Sequence, residues 1–154
     1  MAQISPITSP NPDSAFDPQA LSDRHGLGPV SEKYALGAQF QYRTDPSTPD
    51  TIQNALDGVA PDFGRIIVEF VFGDIYARPG LDFKFRVFAT LAAVAALNQT
   101  FAVKEYVRFA LNAGWSRVEI VEVLMQISVY AGMGPAMDAL AAAKETFGDI
   151  DTQP

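Results

Sequence analysis

Asp74, Tyr106 and Glu122 are the side chains in this sequence best placed to move a proton, and Arg78 and Arg86 those best placed to hold an anion. Asp74 continues an apolar stripe formed by Phe63, Ile67, Phe70 and Val71, which points it inward. A carboxyl taken out of water keeps its proton more readily and so suits proton transfer. The same position also suits an ion pair with Arg78, four residues on, or with Arg86. Arg78 and Arg86 flank the turn Arg78-Pro79-Gly80-Leu81-Asp82. A guanidinium grips a substrate carboxylate in two places, although either arginine can equally clamp Asp82 or a helix C-terminus. Tyr106 lies one turn beyond Val103 and four residues before Ala110, on the inward side of its helix. There a phenol acts as a weak acid or as a donor to an oxyanion, or it simply packs with its hydroxyl satisfied.

Glu122 and Gln126 follow the i, i+4 spacing beside the apolar residues Ile120, Val123, Leu124 and Ile127. Glu122 either moves a proton or binds an arginine across the fold. Gln126, with Tyr130 at the helix end, is a candidate pocket wall; Tyr130 suits packing at least as well. His25, the single histidine, sits in Asp23-Arg24-His25-Gly26-Leu27-Gly28 and is expected in an exposed loop. One histidine without clustered carboxylates gives no expected metal site, and no cofactor motif is present. Trp115 and the phenylalanines at 83, 85, 88, 101 and 109 recur at helical spacing, as core or interface packing residues do.

These residues depend on helices for their placement. Pro61 suits a first helical position, and the apolar stripe that follows predicts a helix ending near Arg78-Pro79-Gly80. Asp82 is positioned to cap the next helix, which runs to about Leu97 and is apolar nearly all round from Val87, as a central helix would be. Thr100 opens a third helix, closed by Gly114. Ser116 and Glu119 form the S-x-x-E capping box of a helix running to about Ala131, and Gly134-Pro135 begins a last one ending at Phe147-Gly148. Short connections make successive helices antiparallel neighbours. No strand alternation is visible, so the expected fold is all-α, a compact helical bundle of about six or seven helices. Residues 1–60 hold seven of the eleven prolines and are expected to form an arm through Pro18 and short helices begun by Ser31 and Thr51, with a loop from Arg43 to Asp50. The expected organisation is therefore 1–60 arm and short helices, 61–148 helical domain, 149–154 tail.

The chain has 154 residues, eleven basic and eighteen acidic, and a net charge of −7. That balance argues against a nucleic-acid or anionic-membrane partner. Cysteine is absent, so disulfides and thiol chemistry have no residue to use. Met1 to Ser14 has neither a basic segment nor an apolar core, and the apolar run Val87 to Leu97 is far shorter than the ~20 residues of a membrane span. A soluble, cytoplasmic protein is expected.

Phe72-Gly73-Asp74-Ile75-Tyr76-Ala77-Arg78-Pro79-Gly80-Leu81-Asp82, then Ala110-Leu111-Asn112-x-Gly114, then Glu119-Ile120-Val121-Glu122-Val123-Leu124-x5-Tyr130-Ala131-Gly132, closely resembles the carboxymuconolactone decarboxylase family of the alkylhydroperoxidase D-like superfamily. The resemblance covers roughly residues 60–147. It implies an all-helical homo-oligomer, often a trimer or hexamer, with active sites between helices near subunit interfaces and a reaction that releases CO₂ from a lactone acid. The family usually has a histidine where this chain has Tyr106, and many members have a second where this chain has Gln126. The peroxidase branch's C-x-x-C-x-x-x-H falls on Gln99, Ala102 and Tyr106, which leaves no thiolate for peroxide reduction. Two functions are therefore expected to compete. One is a cofactor-free lyase or isomerase for a small acidic or enolisable molecule, working through Tyr106, Asp74, Glu122 and an arginine. The other is a non-catalytic binding or scaffold protein in which those groups pair among themselves.

Overall fold

At Asp17, Ser31 and Ser116 the helix start is set by a side chain that satisfies an otherwise free amide. Asp17 accepts from the Gln19 amide at 2.8 Å, and Ser31 accepts from that of Tyr34 at 3.0 Å. At Ser116 the expected capping box is complete: its amide donates to Glu119 Oε2 at 2.8 Å, and the Glu119 amide donates back to Ser116 Oγ at 3.2 Å. The Ser116 backbone amide, then its hydroxyl, hold the Glu119 carboxyl below its ordinary range. The computed structural model describes residues 16–152, and all regular elements among them are helical. They are α1 (Pro18–Arg24), α2 (Glu32–Thr44), α3 (Thr48–Leu56), α4 (Pro61–Ile67) continuing directly into a π-helix (Val68–Tyr76), α5 (Phe83–Ala96), α6 (Thr100–Asn112), α7 (Arg117–Gln126), α8 (Ser128–Ala131) and α9 (Met133–Thr152). The all-α expectation holds. The arm expected through Pro18 falls mainly on residues 1–15, outside the described residues.

Two compact units make up the chain, divided between Phe83 and Lys84. In the first, α2 lies along the π-helix, and this is the most extensive helix pair of that unit. Two glycines allow the approach. A β-carbon on Gly37 would sit 2.2 Å from the Val68 carbonyl oxygen and 3.0 Å from the Gly73 nitrogen, and one on Gly73 would sit 2.7 Å from the Lys33 carbonyl oxygen. Leu21, Tyr34, Ala38 and Val68 form the buried centre, with Phe16, Leu27 and Val30 packed on it. Residues 1–60 are thus more than short helical patches: α2 spans 13 residues. The loop expected from Arg43 to Asp50 shrinks to Asp45–Ser47, because α3 starts at Thr48 with Pro49 in its first turn, where a missing amide hydrogen is tolerated.

Polar groups lie inside this unit. Gln41 and Gln53 are fully buried; the Gln41 amide has no hydrogen-bond partner, and the Gln53 side chain lies beside the Tyr34 phenol. The Gln53 amide rests against Gly64, where a β-carbon would come within 2.3 Å of Oε1. Burial pushes the Tyr34 phenol above its usual range; the Arg65 charge and the Gln53 side chain oppose that rise. Leaving a buried amide unpaired costs about 1–3 kcal/mol. Gln41→Met, which keeps the length and removes the polar atoms, is therefore expected to stabilise the protein by about 1 kcal/mol or more. Urea unfolding would check this; a lowered midpoint would show that the amide is satisfied in solution.

In the second unit α9 is the spine, against which α6, α7 and α8 pack. Its buried face is Ala136, Ala139, Ala142, Ala143 and Thr146, small residues that admit neighbouring helices closely. Val103, Val107, Phe109 and Ala110 of α6 are buried, as are Ile120 and Leu124 of α7. The last helix does not stop at Phe147-Gly148 but runs to Thr152. Its final turns are tied back by Asp149 to Arg108 at 3.5 Å and by Asp151 to Arg117 at 2.6 Å. Most of the expected tail is therefore helix. The helix from Arg117 ends at Gln126 and resumes as the single turn of α8. Helix α5 buries only the stripe Phe83, Val87, Leu91 and Ala95. It is not enclosed all round as expected, since Ala89 and Ala93 are exposed and methyl groups carry little penalty for facing water.

Candidate active site

Placement of the candidate residues follows from these elements. Asp74 lies on the π-helix, and its carboxylate is paired with Lys33 of α2 at 2.9 Å. Its side chain is 41% exposed, so the expectation that it points inward is not met. The buried line on this segment is Gly64, Val68, Phe72 and Tyr76, while Phe63, Ile66 and Phe70 are exposed. Arg78, beyond the end of the π-helix, is exposed. The ion partner of Asp74 was expected among Arg78 and Arg86; Lys33 was missed, because no sequence signal links two residues 41 apart.

Arg86, Tyr106, Glu122, Gln126 and Tyr130 belong to the second unit. Arg86 is half-buried on the first turns of α5, a segment held firmly in place. Trp115 Nε1 donates to the Lys84 carbonyl at 3.0 Å, the Lys84 ammonium lies 4.1 Å from the Trp115 ring centre, and Phe88 stacks on that ring at 3.9 Å. Trp115 and Phe88 thus pack as their spacing implied. Tyr106 is half-buried beside the Val103–Val107–Ala110 face and meets Phe109 edge to face at 5.3 Å. Glu122, Gln126 and Tyr130 follow one another at four-residue steps along α7 and α8, and all are exposed; Tyr130 is 88% exposed and does not pack at the helix end. Met125, Val129, Met133 and Met137 are exposed with them. Flexible thioethers beside polar side chains make a surface that adapts to what it binds.

His25 contradicts its expectation most directly. Its side chain is 6% exposed and lies between Asp50 and Asp57. Among the described residues no group of three or more His, Cys, Asp or Glu could hold a metal ion, and no helix is long and apolar enough to cross a membrane.

Arg86, Tyr106, Glu122, Gln126 and Tyr130 are thus all carried on helices of one unit, in a chain whose described regular elements are all helical. Residues 61–145 match the model of the carboxymuconolactone decarboxylase family, and the chain belongs to that family. The 4-carboxymuconolactone decarboxylase of Acinetobacter baylyi is 31% identical over 93 residues, covering 60% of this chain and 69% of the relative. The nitrosuccinic acid decarboxylase npaB of Metarhizium robertsii is 30% identical over 115 residues, 72% of this chain and 80% of the relative. An uncharacterized 15.0 kDa protein of Paracoccus denitrificans is 26% identical over 119 residues, covering 76% of this chain and 89% of the relative.

Proposed function

We propose that the protein is a cofactor-independent lyase or isomerase of decarboxylase type, acting on a small acidic or enolisable molecule. The observation that carries this reading is the similarity to two relatives named as decarboxylases, over 60% and 72% of this chain. Both names specify carboxylic acids. Cofactor-free loss of CO₂ requires the substrate itself to accept the electron pair of the breaking C–C bond, as an enolate or a nitronate; a proton then adds to carbon. Arg86 would hold the remaining carboxylate or the developing anion. Tyr106 and Glu122 are the groups proposed to deliver the proton, with Gln126 and Tyr130 of the same unit bordering the substrate. Cysteine is absent, so a thiol peroxidase is not proposed, and the cytoplasm is the proposed location.

A binding or scaffold role is the second reading, favoured by one observation: Asp74 is engaged by Lys33. A panel of lactone acids, nitro acids and β-keto acids, followed by CO₂ release and by calorimetric binding, separates the two. Turnover supports the enzyme, binding without turnover supports the second reading, and neither would sink both.

We also propose that the chain works as a homo-oligomer, a trimer or hexamer. The support is the exposed apolar line Val59, Phe63, Ile66 and Phe70, each more than half exposed, which water tolerates poorly unless something covers it. Phe63→Glu combined with Phe70→Glu is expected to reduce the solution mass to that of one 16.6 kDa chain. Sedimentation of the unaltered protein at that single-chain mass would overturn the proposal.

A further inference from the structure

We propose that His25 is a proton-operated clasp that fastens the segment between α1 and α2 to both ends of α3. Its Nε2 lies 3.1 Å from Asp50 Oδ1, and its Nδ1 lies 3.3 Å from Asp57 Oδ2. Asp50 is in the first turn of α3, and Asp57 directly follows its last residue. A neutral imidazole has one N–H and one lone pair, so against two carboxylates it donates once and sets a lone pair against the other oxygen. The other tautomer exchanges which carboxylate receives the N–H without curing this. Only the imidazolium donates to both, and with the side chain 6% exposed there is little water to make up the missing bond.

The charges facing the ring are few. Asp50 and Asp57 come from α3, and Arg24 comes from α1, where its guanidinium reaches Asp50 at 3.1 and 3.2 Å. Asp23 is turned to Gln19 at 2.7 Å. From α4, Arg65 is committed to Glu69 at 3.1 Å and to the Leu27 carbonyl at 2.9 Å. Burial pushes the Asp50 carboxyl up, but the hydrogen bonds from His25 and Arg24 outweigh it and hold the group below its ordinary range.

What the clasp secures is the segment that carries Leu27 into the core. Gly26 and Gly28, at φ 64° and 79°, turn the chain on either side of Leu27. The Leu27 amide bonds to the Ser22 carbonyl at 3.0 Å, and Ser22 Oγ donates to the Gly28 carbonyl at 2.7 Å. Two limbs bound the closed state. A carboxyl whose folded value is lowered contributes stability above its unfolded value, and this is lost as pH falls through the folded value. On the alkaline side the imidazolium loses its second proton as pH rises, and one contact goes with it.

The full-length protein offers a clean readout, because its single histidine gives one imidazole signal. ¹⁵N NMR of the folded chain is expected to show both ring nitrogens protonated wherever the Leu27 amide is fully protected. Raising the pH through the imidazole titration is expected to lower the hydrogen-exchange protection of the Leu27 amide about tenfold or more, as for loss of one charged hydrogen bond. That step should vanish in His25→Gln. In Asp57→Asn the asparagine amide can donate to the neutral ring, so there too the step should shrink or vanish while the fold is kept. A neutral ring in the fully protected state overturns the proposal, as does a Leu27 step that persists in either variant.

Discussion

Gly37→Ala is expected to destabilise the protein by about 3 kcal/mol or more, at the upper end of what an overpacked interior site costs. The β-carbon would sit 2.2 Å from the Val68 carbonyl oxygen, and a backbone atom cannot step aside as the end of a side chain can. Neither Gly37 nor Gly73 has a positive φ, so the cost is steric and owes nothing to backbone strain. The Gly73 nitrogen lies 3.0 Å from the same point, which puts the substitution on the π-helical i, i+5 pairing of Val68 with Gly73. Set against a typical total of ~5–15 kcal/mol, such a loss removes a large part of the stability. Urea unfolding gives the test: the midpoint should fall with the slope unchanged. Gly148→Ala is the control. It is helical and exposed, with nothing within 4 Å of its β-carbon, and is expected to be neutral or to stabilise by up to ~1 kcal/mol. Equal midpoints for Gly37→Ala and Gly148→Ala would mean that α2 is not seated on the π-helix in solution.

The same segment shows where a sequence stops being informative. Helix starts were legible at Ser31, Pro61 and Ser116, because a capping hydroxyl or a first-turn proline acts within three or four residues of itself. The inward face after Pro61 was not legible. A reading at 3.6 residues per turn chose Phe63, Ile67, Phe70 and Val71, whereas the buried line is Gly64, Val68, Phe72 and Tyr76. Four residues overshoot one α-turn and fall short of one wider π-turn. A segment that passes from one to the other therefore keeps a four-residue line on one face. Nothing local announces the change at Val68. The placement of Asp74 inherited that error, which is why a group expected inside is half-exposed.

Two other misses share a different cause. The Asp74–Lys33 pair and the seat of His25 between Asp50 and Asp57 join residues 41, 25 and 32 apart. Pairings at such separations are made by tertiary packing, and a charged residue in a polar loop carries no sign of which partner it will meet. By contrast, Trp115 and Phe88 were legible as packing residues, although Phe85 and Phe101, read from the same spacing, are more than half exposed. Tyr106 was expected on the inward side of its helix, and it is half-buried beside that face. Gln126 and Tyr130 were read from their helix alone, and both prove exposed, where a substrate or a second copy of the chain can reach them.

Arg86→Met is expected to lower kcat/KM by about 10²–10³, which corresponds to ~3–4 kcal/mol of lost transition-state stabilisation. A guanidinium that holds a carboxylate through paired, charge-assisted bonds is worth that much where water is displaced. The substitution keeps the apolar stem, so packing along α5 should persist. Trp115 braces the helix start through the Lys84 carbonyl and Phe88, which leaves the backbone at residue 86 little freedom to shift. Tyr106→Phe removes one hydroxyl and nothing else. If that hydroxyl stabilises the developing anion, kcat should fall about a hundredfold with KM little changed; if it only packs, neither constant should move. The two variants thus separate binding from proton delivery, because losing the anion holder raises KM as well. Unfolding midpoints measured alongside decide the remaining case. An Arg86→Met protein that loses stability in step with activity would show the arginine to be a structural clamp, and the proposed anion site would have to be given up.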